Sequence, residues 1–380
     1  MKILVFCHEF PPVGSGAGNA LSFLSKEWVR LGHAVTVFTS GWNELPASAV
    51  IDGVKVLRVP VGRQSLFRGR ILEMIRYMVL SAADVSSLYQ SQKPDLCVAF
   101  MAIPGGVGPL FMKRKYGVPF VTQVRGGDVP GYDEASLRWY HWMVRPLLKK
   151  IWKGSRAVIA NGRGLAALVK RQMPALEIGL IPNGVDAQFY SPAPAKKKND
   201  AFTFFFSGRL VDSQKNIRTL LDQLASLDGV RLVIAGDGPD RPFLECHAAE
   251  KKLSAQVECL GWLDKENLRR AYANADAYVS LAFSEGMPNA VLEAMASGLP
   301  LVLSDIEGHR ELLVDGQNGF LVPLGDPTRL REAAQRLRQD ADLCRAMGLE
   351  SRRRVLDSHQ WAKIAERHFE AFQKPAPILY

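Results

Sequence analysis

Two glutamates, Glu285 and Glu293, lie in one short stretch together with a Gly-Met-Pro turn. The run 289–297 predicts a helix ended by Gly298, because glycine after a periodic segment is typical of a helix C-terminus. Glu285 would precede this helix, and Glu293 would lie about one turn inside it. The free N–H groups at a helix start favour anions, so the arrangement suits a ligand with hydroxyl and phosphate groups. An isolated pair of this kind is more often ordinary acidic surface.

Two cations, Arg209 and Lys215, follow the predicted strand 202–206 and Gly208. A helix is predicted over 216–227, which places Lys215 at a helix start. A cation there opposes the helix dipole, so Lys215 is best tolerated if an anion lies between it and Arg209. Paired cations suit a diphosphate, Arg through its fork and Lys as a point charge. Taken singly, each would more often be a solvated charge.

Glycine-rich turns follow several predicted strands, where backbone amides can approach an anion. The first spaces its glycines G-x-G-x-G, and the second strand ends in Thr39-Ser40-Gly41 without the acidic residue that a dinucleotide site needs. A nicotinamide-binding domain is therefore disfavoured. The glycines at these turns are Gly14, Gly16 and Gly18 in the first half and Gly238 and Gly261 in the second.

The elements that must position these residues form two sets of short apolar runs alternating with helical stretches. This alternation predicts an α/β protein with parallel sheets covered by helices, in two Rossmann-like domains that face a cleft. We expect domains at 1–183 and 184–357, a linker at 192–200, and a C-terminal helix within 358–380 that packs back on the N-terminal domain. The predicted strands are 3–6, 34–39, 54–59, 96–100, 119–123, 157–161, 202–206, 231–235, 256–260, 277–281, 300–303 and 319–322.

Composition narrows the class of protein. The chain has 380 residues, 47% of them hydrophobic and 23% charged, and it contains no apolar run of membrane-spanning length. The apolar start at 2–6 is too short for a signal peptide and predicts a buried strand. Five widely spaced cysteines suggest neither a zinc site nor a disulfide framework, which fits a reducing cytoplasm.

The net charge of +10 is confined to one half of the chain. Residues 1–183 contain 23 Lys and Arg against 11 Asp and Glu, whereas residues 184–380 contain 25 against 27. A basic half indicates an anionic partner, either nucleic acid or a membrane surface. The segments 63–78 and 137–153 combine cations with apolar and aromatic residues, as an interfacial helix does. Each alone fits buried aromatics with solvated cations equally well; together they favour peripheral binding to an anionic inner leaflet and a lipid-linked acceptor.

The motifs occur in an order that resembles the retaining glycosyltransferases of family 4, which have the GT-B fold. The resemblance covers nearly the whole chain, and the ordered set is far more specific than any one motif. In chain order the motifs are the glycine loop, 31–35, 181–186, Gly208 and Arg209 with Lys215, 236–239, and Glu285 to Glu293.

The resemblance implies a UDP- or GDP-linked sugar as donor, no cofactor and no metal. Arg209 and Lys215 would neutralise the diphosphate leaving group. Glu293 would accept hydrogen bonds from the ribose and Glu285 from the transferred sugar. The only D-x-D, Asp340-Ala341-Asp342, lies in a late helical region. The implied donor-binding residues are Gly14, Gly16, Gly18, Gly208, Arg209, Lys215, Gly238, Gly261, Glu285, Gly286, Met287, Pro288, Asn289, Ala290 and Glu293.

One segment of the first half departs from the family pattern. Many members carry a His in the stretch that corresponds to 122–128, and here Arg125 stands in its place. Arg cannot accept a proton near neutral pH, so general-base chemistry at this position is doubtful. Arg125 would contact the sugar, the donor phosphate or an anionic acceptor, and Asp128 would orient the acceptor. A structural Arg–Asp pair is an equal alternative.

The leading hypothesis is a cytoplasmic, peripheral membrane enzyme. It would transfer a hexose or N-acetylhexosamine to a lipid-linked glycan in surface-polysaccharide synthesis, with retention of configuration and with Arg209, Lys215, Glu285, Arg125 and Asp128 at the reaction centre. Three alternatives are a transferase acting on a small soluble acceptor, a catalytically inactive glycan-binding relative, and a nucleic-acid-binding protein. The last is disfavoured because no nucleic-acid module is recognisable and the glutamates would be unexplained.

Overall fold

The computed structural model describes residues 1–14, 16–66, 69–132, 134–192, 201–225 and 227–373. The chain divides into two compact units. The N-terminal unit comprises Met1–Asn183 and Trp361–Tyr380, and the C-terminal unit comprises Gly184–Gln360. Residues 193–200 of the predicted linker lie outside the described residues.

The N-terminal unit contains a sheet of eight strands in the described part of the chain, in the order β3-β4-β2-β1-β5-β6-β7-β8. Neighbouring strands are parallel, except that β3 pairs antiparallel with β4 at the edge. Strands β5 and β6 are buried along their whole length, as expected for a parallel sheet with helices on both faces. The strands are β1 (Lys2–Phe6), β2 (Ala34–Ser40), β3 (Ser48–Ile51), β4 (Val54–Val59), β5 (Leu96–Phe100), β6 (Phe120–Val124), β7 (Ala157–Ala160) and β8 (Ile178–Leu180).

Helices cover both faces of this sheet. Because side chains alternate along a strand, Phe6 of β1 joins one apolar cluster with Tyr77 and Trp152, whereas Val5 joins another with Trp28. The helices preceding the C-terminal unit are α1 (Gly16–Arg30), α2 (Ile71–Ala83), α3 (Val85–Gln92), α4 (Val107–Tyr116), α5 (Glu134–Gly154) and α6 (Arg163–Gln172).

The C-terminal unit contains a parallel sheet of six strands in the described residues, in the order β11-β10-β9-β12-β13-β14. These strands are β9 (Phe202–Ser207), β10 (Val230–Ala235), β11 (Val257–Gly261), β12 (Ala277–Ser280), β13 (Leu301–Ser304) and β14 (Gly319–Val322). The helices are α7 (Asp212–Lys215), α8 (Ile217–Leu224), α9 (Arg241–Glu250), α10 (Lys265–Asn274), α11 (Asn289–Ala296), α12 (Glu307–Arg310), α13 (Pro327–Gln339) and α14 (Ala341–Ser358).

The last helix, α15 (Trp361–Gln373), follows the C-terminal unit in sequence but packs on α1 of the N-terminal unit. The Trp361 ring stacks on Phe23 with centroids 5.6 Å apart and planes within 5°. Phe372 meets Trp28 edge-on at 5.3 Å. This aromatic contact buries the apolar stripe of α15, which would otherwise be left on the surface.

All twelve predicted strands are confirmed, each within one residue at either end. Two strands were not predicted. β3 is a four-residue edge strand that is mostly exposed, and β8 has three residues with Gly179 at its centre, so neither carries an apolar pattern. Within the described ranges, no helix combines the length and apolar character that crossing a membrane requires.

Candidate functional site

The strand order of the C-terminal unit creates a ligand-binding position at the centre of its sheet. β9 and β12 are neighbours, and the chain then moves outwards from each of them in opposite directions. Such a switch point leaves a crevice at the carboxyl ends of the two strands, where α/β sheets bind ligands. Gly208 and Arg209 follow β9, and Glu285 lies in the loop after β12. The fold therefore brings both predicted motifs to one edge, and Arg209 is exposed there.

Lys215 is the last residue of the one-turn helix α7 and lies two residues before the first residue of α8. The predicted helix over 216–227 is confirmed at its start to within one residue and ends three residues early, at Leu224. Asn216 adopts the left-handed conformation (φ 54°, ψ 40°) and separates α8 from the short helix α7, which was not predicted. The Asn216 amide Nδ2 donates to the Leu281 carbonyl at 3.0 Å, and the Phe283 N–H donates to the Gln214 carbonyl at 2.9 Å. These bonds hold the α7–α8 junction beside the loop after β12. Lys215 therefore lies at the C-terminal end of α7, where the helix dipole favours a cation, as well as just before the start of α8.

Lys215 and Glu285 form an ion pair between the Lys215 ammonium and Glu285 Oε1. Their side chains are only 16% and 9% exposed, so water screens the pair less than it would a surface pair. The Glu285 backbone is packed against Gly308, where a Cβ atom would lie 2.3 Å from the Glu285 carbonyl oxygen. The absence of a side chain at Gly308 is thus what allows α12 to approach this loop.

Glu293 is a partly buried carboxylate held by two tyrosines. The Tyr272 hydroxyl donates to Glu293 Oε2 at 3.0 Å and lies 2.6 Å from the Ser207 hydroxyl, and Tyr190 also hydrogen-bonds to Glu293. Burial raises the pKa of Glu293 to about 7, against the opposing effect of these hydrogen bonds. Glu293 can therefore accept hydrogen bonds as a carboxylate above neutral pH, and it becomes protonated below it.

The turns after β9, β10 and β11 bring main chain rather than side chains to the same edge. Gly236 has φ +138°, and a Cβ atom there would lie 1.9 Å from the Gly208 carbonyl oxygen. Its N–H donates to the Gly261 carbonyl at 2.7 Å, which joins the three turns. Gly238 lies in the second of these turns. Close backbone approach of this kind leaves room for a flat or anionic ligand group.

The segment Gly286, Met287, Pro288 leads from Glu285 into α11. Pro288 is extended (φ −74°, ψ 112°), and the helix begins at Asn289 and continues through Ala290. The predicted helix is confirmed to within one residue, and Gly298 beyond its end has φ +74°. The first-turn main chain of α11 therefore lies between the two glutamates, as the sequence predicted.

His309 and the residues around Glu293 belong to this site but were not predicted. His309 on α12 is fully buried, and its Nδ1 lies 2.9 Å from the Ser304 carbonyl oxygen. Burial lowers its pKa, and its Nε2 has no hydrogen-bond partner within the described chain. Tyr190, Ser207 and Tyr272 are equally scattered along the sequence, so no local motif could have identified them.

The glycine loop belongs to the N-terminal unit, whereas the cluster just described belongs to the C-terminal unit. The Gly14 N–H donates to the Leu66 carbonyl at 2.7 Å, and Gly16 and Gly18 form the first turn of α1. Gly14 has φ +102°, and a Cβ atom there would clash with the Glu9 side chain at 2.5 Å. The loop therefore places the start of α1 against Glu9 at the carboxyl end of β1.

Asp128 and Arg125 follow β6 at the same edge of the N-terminal sheet. Asp128 accepts three main-chain hydrogen bonds, from the N–H groups of Ala102 (2.7 Å), Arg125 (2.9 Å) and Gly126 (3.0 Å). Asp128 thus binds the Arg125 backbone, and within the described residues no ion pair joins its carboxylate to the Arg125 guanidinium. That guanidinium instead lies over the Phe100 ring, 4.7 Å from its centroid. Both oxygens of Asp128 are used to hold the loop.

Comparison with known proteins agrees with the fold of these two units. The model of "Glycosyltransferase Family 4" matches residues 14–189, and that of "Glycosyl transferases group 1" matches residues 189–354. A GDP-mannose-dependent alpha-mannosyltransferase of Mycobacterium tuberculosis is 27% identical, over 98% of this chain and 97% of its own. The lipopolysaccharide core biosynthesis glycosyltransferase LpsE of Rhizobium meliloti is 30% identical, over 74% of this chain and 75% of its own. The structure of sucrose-phosphate synthase from Thermosynechococcus elongatus has a TM-score of 0.86 at 20% identity and covers 98% of both chains.

Two parallel-sheet α/β units with this structural likeness define a protein of the GT-B fold. The chain belongs to family 4 of the glycosyltransferases, as the two consecutive family matches and the relative in Rhizobium meliloti show. It is therefore a nucleotide-sugar glycosyltransferase. Among the described residues, no group of three His, Cys, Asp or Glu side chains is arranged to hold a metal ion. Independence from metals stays a prediction.

Proposed function

We propose that this glycosyltransferase moves a hexose or N-acetylhexosamine from a UDP- or GDP-linked donor to a lipid-linked glycan, with retention of configuration, in cell-surface polysaccharide synthesis. The observation that carries the proposal is the Lys215–Glu285 ion pair next to α11, with Glu293 one turn further along that helix. A cation, two carboxylates and a helix start at one sheet edge match the three parts of a nucleotide sugar: diphosphate, sugar and ribose.

In this proposal the donor occupies the carboxyl edge of the C-terminal sheet. Arg209 and Lys215 neutralise the diphosphate, whose charge grows as the bond to the sugar breaks. Glu285 accepts hydrogen bonds from the hydroxyls of the transferred sugar, and Glu293 accepts them from the ribose. The main chain of Met287, Pro288, Asn289 and Ala290, together with Gly286, supports phosphate or sugar, and Gly208, Gly238 and Gly261 border the base. Gly14, Gly16 and Gly18 of the N-terminal unit stay predicted donor contacts.

Retention is proposed to follow front-face attack, in which the leaving phosphate takes the proton of the acceptor hydroxyl. Two observations support a mechanism without a protein base at the family's His position. Arg125 cannot accept a proton near neutral pH, and both oxygens of Asp128 are engaged by main-chain N–H groups. Asp128 then acts as a positioning residue that holds the Arg125 loop.

The names of the relatives support the choice of donor and acceptor. One relative is GDP-mannose-dependent, and another acts in lipopolysaccharide core biosynthesis. For this chain the same chemistry is a proposal, and the transferred sugar is left as a hexose or N-acetylhexosamine.

Binding at the inner face of the cytoplasmic membrane is proposed from the exposed face of α5. Trp139, Trp142 and Met143 are 79%, 70% and 58% exposed, although Tyr140 and Trp152 of the same helix are buried. Trp side chains with neighbouring cations favour the interface of an anionic leaflet. The cations on this helix whose side chains are described are Arg145, Lys149, Lys150 and Lys153.

A second surface supports the same binding mode. On α2, Ile71, Leu72, Ile75 and Val79 are between 37% and 63% exposed. The predicted basic segment contributes less than its sequence indicated, because Arg63 is buried and pairs with Glu9, and Phe67 and Arg68 lie outside the described residues.

The donor assignment is tested by calorimetric titration with UDP, GDP, ADP and their sugars. We expect UDP or GDP to bind, and Glu293→Ala to weaken that binding at least tenfold. Failure of every nucleotide to bind would overturn the proposal. The anomeric configuration of the product, measured by NMR, tests retention, and an inverted product would reject it. Recovery of transferred label only in a water-soluble product would favour the small soluble acceptor.

The membrane assignment is tested by flotation with vesicles containing anionic phospholipid at physiological salt. The wild-type protein should float with the vesicles, and the double variant Trp139→Ala/Trp142→Ala should lose most of this binding. Phe243→Ala is the matched control, because Phe243 is a 49% exposed aromatic residue on α9 of the other unit. Absence of wild-type flotation would reject membrane binding and leave the donor assignment untouched.

A further inference from the structure

The guanidinium of Arg125 is a partly buried cation at the carboxyl edge of the N-terminal sheet, and within the described residues it makes no ion pair and no hydrogen bond. We propose that Arg125 binds an anionic group of the acceptor, a phosphate or a carboxylate next to the sugar that receives the transfer. The inference rests on the proposed function in that it requires a glycan acceptor. It goes further by specifying the chemistry of that acceptor.

The contacts of Arg125 leave its hydrogen-bonding capacity unused. Within the described residues, its guanidinium makes no hydrogen bond and no ion pair, and its neighbour is the Phe100 ring at 4.7 Å. A guanidinium has five N–H donors in a planar fork that matches carboxylate and phosphate oxygens. Burial lowers the pKa of Arg125 to about 10, which expresses the cost of holding this charge away from water. An anion bound at the fork would offset that cost.

The groups nearest to Arg125 do not supply the missing negative charge. Both oxygens of Asp128 are directed at three main-chain N–H groups. Burial lowers the pKa of His368 to about 3, so its ring is neutral, and burial raises the pKa of the Cys7 thiol, so it is protonated. Asp128 therefore interacts electrostatically with the Arg125 guanidinium but, within the described residues, forms no ion pair with it.

Arg63, at the same edge of the sheet, is by contrast an arginine whose guanidinium has hydrogen-bond acceptors within this unit. Its Nε donates to the Ser65 carbonyl at 2.8 Å, and its Nη2 lies 3.6 Å from Glu9 Oε1. Arg63 thus has acceptors on both sides of its fork and is a structural residue. The contrast assigns ligand binding to Arg125 and not to Arg63.

Unpartnered polar atoms at the carboxyl ends of four strands also point to a ligand at this edge. Buried polar groups in proteins are nearly always hydrogen-bonded, so each exception needs a reason. Neutral amide, hydroxyl and imidazole groups of this kind suit sugar hydroxyls beside an anionic group. Within the described chain the atoms are His8 Nδ1 after β1, Thr39 Oγ1 in β2, Gln123 Oε1 in β6 and Asn161 Oδ1 after β7, in residues at most 5% exposed.

The first experiment isolates this site from the donor diphosphate site. In full-length protein carrying Lys215→Ala, binding of inorganic phosphate and of glucuronate is measured calorimetrically at constant ionic strength, with glucose as the neutral probe. We expect phosphate or glucuronate to bind more tightly than glucose. Adding Arg125→Gln should weaken that anion at least tenfold, and Arg125→Lys should weaken it less. The matched control is Arg114→Gln, an exposed arginine on α4, which should change nothing. Equal binding with Arg125 and with Gln at this position, or no preference for an anion, would overturn the proposal.

The second experiment separates an acceptor anion from the donor diphosphate. In the otherwise wild-type chain, Arg125→Gln should change the affinity for UDP and GDP by less than twofold. A tenfold loss would assign Arg125 to the donor and reject the acceptor role. If no nucleotide binds to the wild-type protein, the proposed donor function fails, whereas the phosphate and glucuronate titrations still decide the role of Arg125. Arg125→His is the second variant if Arg125→Gln does not fold, and it should lose anion binding at pH 8.

Discussion

The two sheet edges of this glycosyltransferase use their charged residues differently. In the C-terminal unit the charges are paired side chain to side chain, with Lys215 on Glu285 and the Tyr272 hydroxyl on Glu293. In the N-terminal unit the Asp128 carboxylate is bound by three main-chain N–H groups, and among the described residues the Arg125 guanidinium contacts an aromatic ring and makes no ion pair.

This difference separates residues that bind ligands from residues that hold a loop. A lysine paired with a glutamate can exchange that partner for a phosphate without disturbing the backbone, because both ends of the contact are side chains. A carboxylate that accepts three main-chain hydrogen bonds cannot turn to a ligand without leaving buried N–H groups unsatisfied, which costs about 1–3 kcal/mol each. We therefore expect mutations at the edge of the C-terminal sheet to impair turnover and mutations of Asp128 to impair folding.

Lys215→Ala should have the largest effect, a loss of about 10²–10³-fold in kcat, since it removes a fixed positive charge from the developing diphosphate. Steady-state kinetics with a saturating donor measure the effect, and the thermal midpoint should remain close to that of the wild type. Arg218→Ala is the control, because the Arg218 side chain is more than half exposed and its contact with Asp212 is long, at 3.9 Å. Equal activities of the two variants would remove Lys215 from the reaction centre.

Asp128→Ala should destabilise the N-terminal unit by about 3 kcal/mol, as it leaves three main-chain donors without their acceptor. Urea unfolding followed by tryptophan fluorescence measures the change. Asp342→Ala is the control, since the Asp342 side chain is 92% exposed. If Asp128→Ala were fully stable but inactive, Asp128 would be a catalytic residue after all, and the comparison of the two edges would fail.

The affinity for the donor sugar should decrease by up to tenfold for each pH unit below about 7, because Glu293 must be ionised to accept ribose hydrogen bonds and burial raises its pKa to about 7. The affinity should be constant above that pH. Calorimetric titrations of the protein with a nucleotide sugar between pH 5.5 and 8.5 measure this affinity. The diphosphate of a nucleotide sugar stays ionised throughout this range, so it adds no pH dependence of its own. The Glu293→Gln variant should bind weakly and without this pH dependence, and a parallel profile in both proteins would show that another group titrates.

The same raised pKa affects stability in the opposite direction. The contribution of protonated Glu293 to stability is fully present below its ordinary pKa of 4.5 and is lost progressively as the pH rises from there through about 7. Glu293→Gln should therefore be more stable than the wild type at pH 8 and similar to it near pH 5, although it binds donor poorly. Thermal unfolding at the two pH values measures the difference.

Tyr272→Phe should have the smallest effect, about a fivefold loss of donor affinity, corresponding to one net hydrogen bond of about 1 kcal/mol. The hydroxyl that is removed positions Glu293 and bonds to Ser207, whereas the ring packs against Phe205 at 4.8 Å and is retained. Tyr116→Phe, in the N-terminal unit, is the control. A loss as large as that of Lys215→Ala would place Tyr272 itself at the reaction centre.

Much of the fold was predictable because the relevant forces act between near neighbours in sequence. Buried parallel strands need continuous apolar runs, and each of the twelve predicted strands is present. The helix carrying Glu293 was equally predictable from its periodicity and from Gly298 beyond its end. The same local pattern placed Glu285 before this helix and Glu293 inside it. The apolar run of β9 likewise placed Lys215 soon after a strand.

What only the tertiary structure decided depends on contacts between distant residues. Asn216 separates two helices and is held by a bond to Leu281, so that Lys215 also ends the short helix α7, which was not predicted. The tyrosines around Glu293 and the docking of α15 on α1 are similarly long-range, so no periodicity records them. That the Arg125 guanidinium makes no ion pair within the described chain depends on all the residues packed at that edge of the sheet. Sequence alone determined which chemical groups the protein carries, and packing determined which of them remain free to bind a ligand.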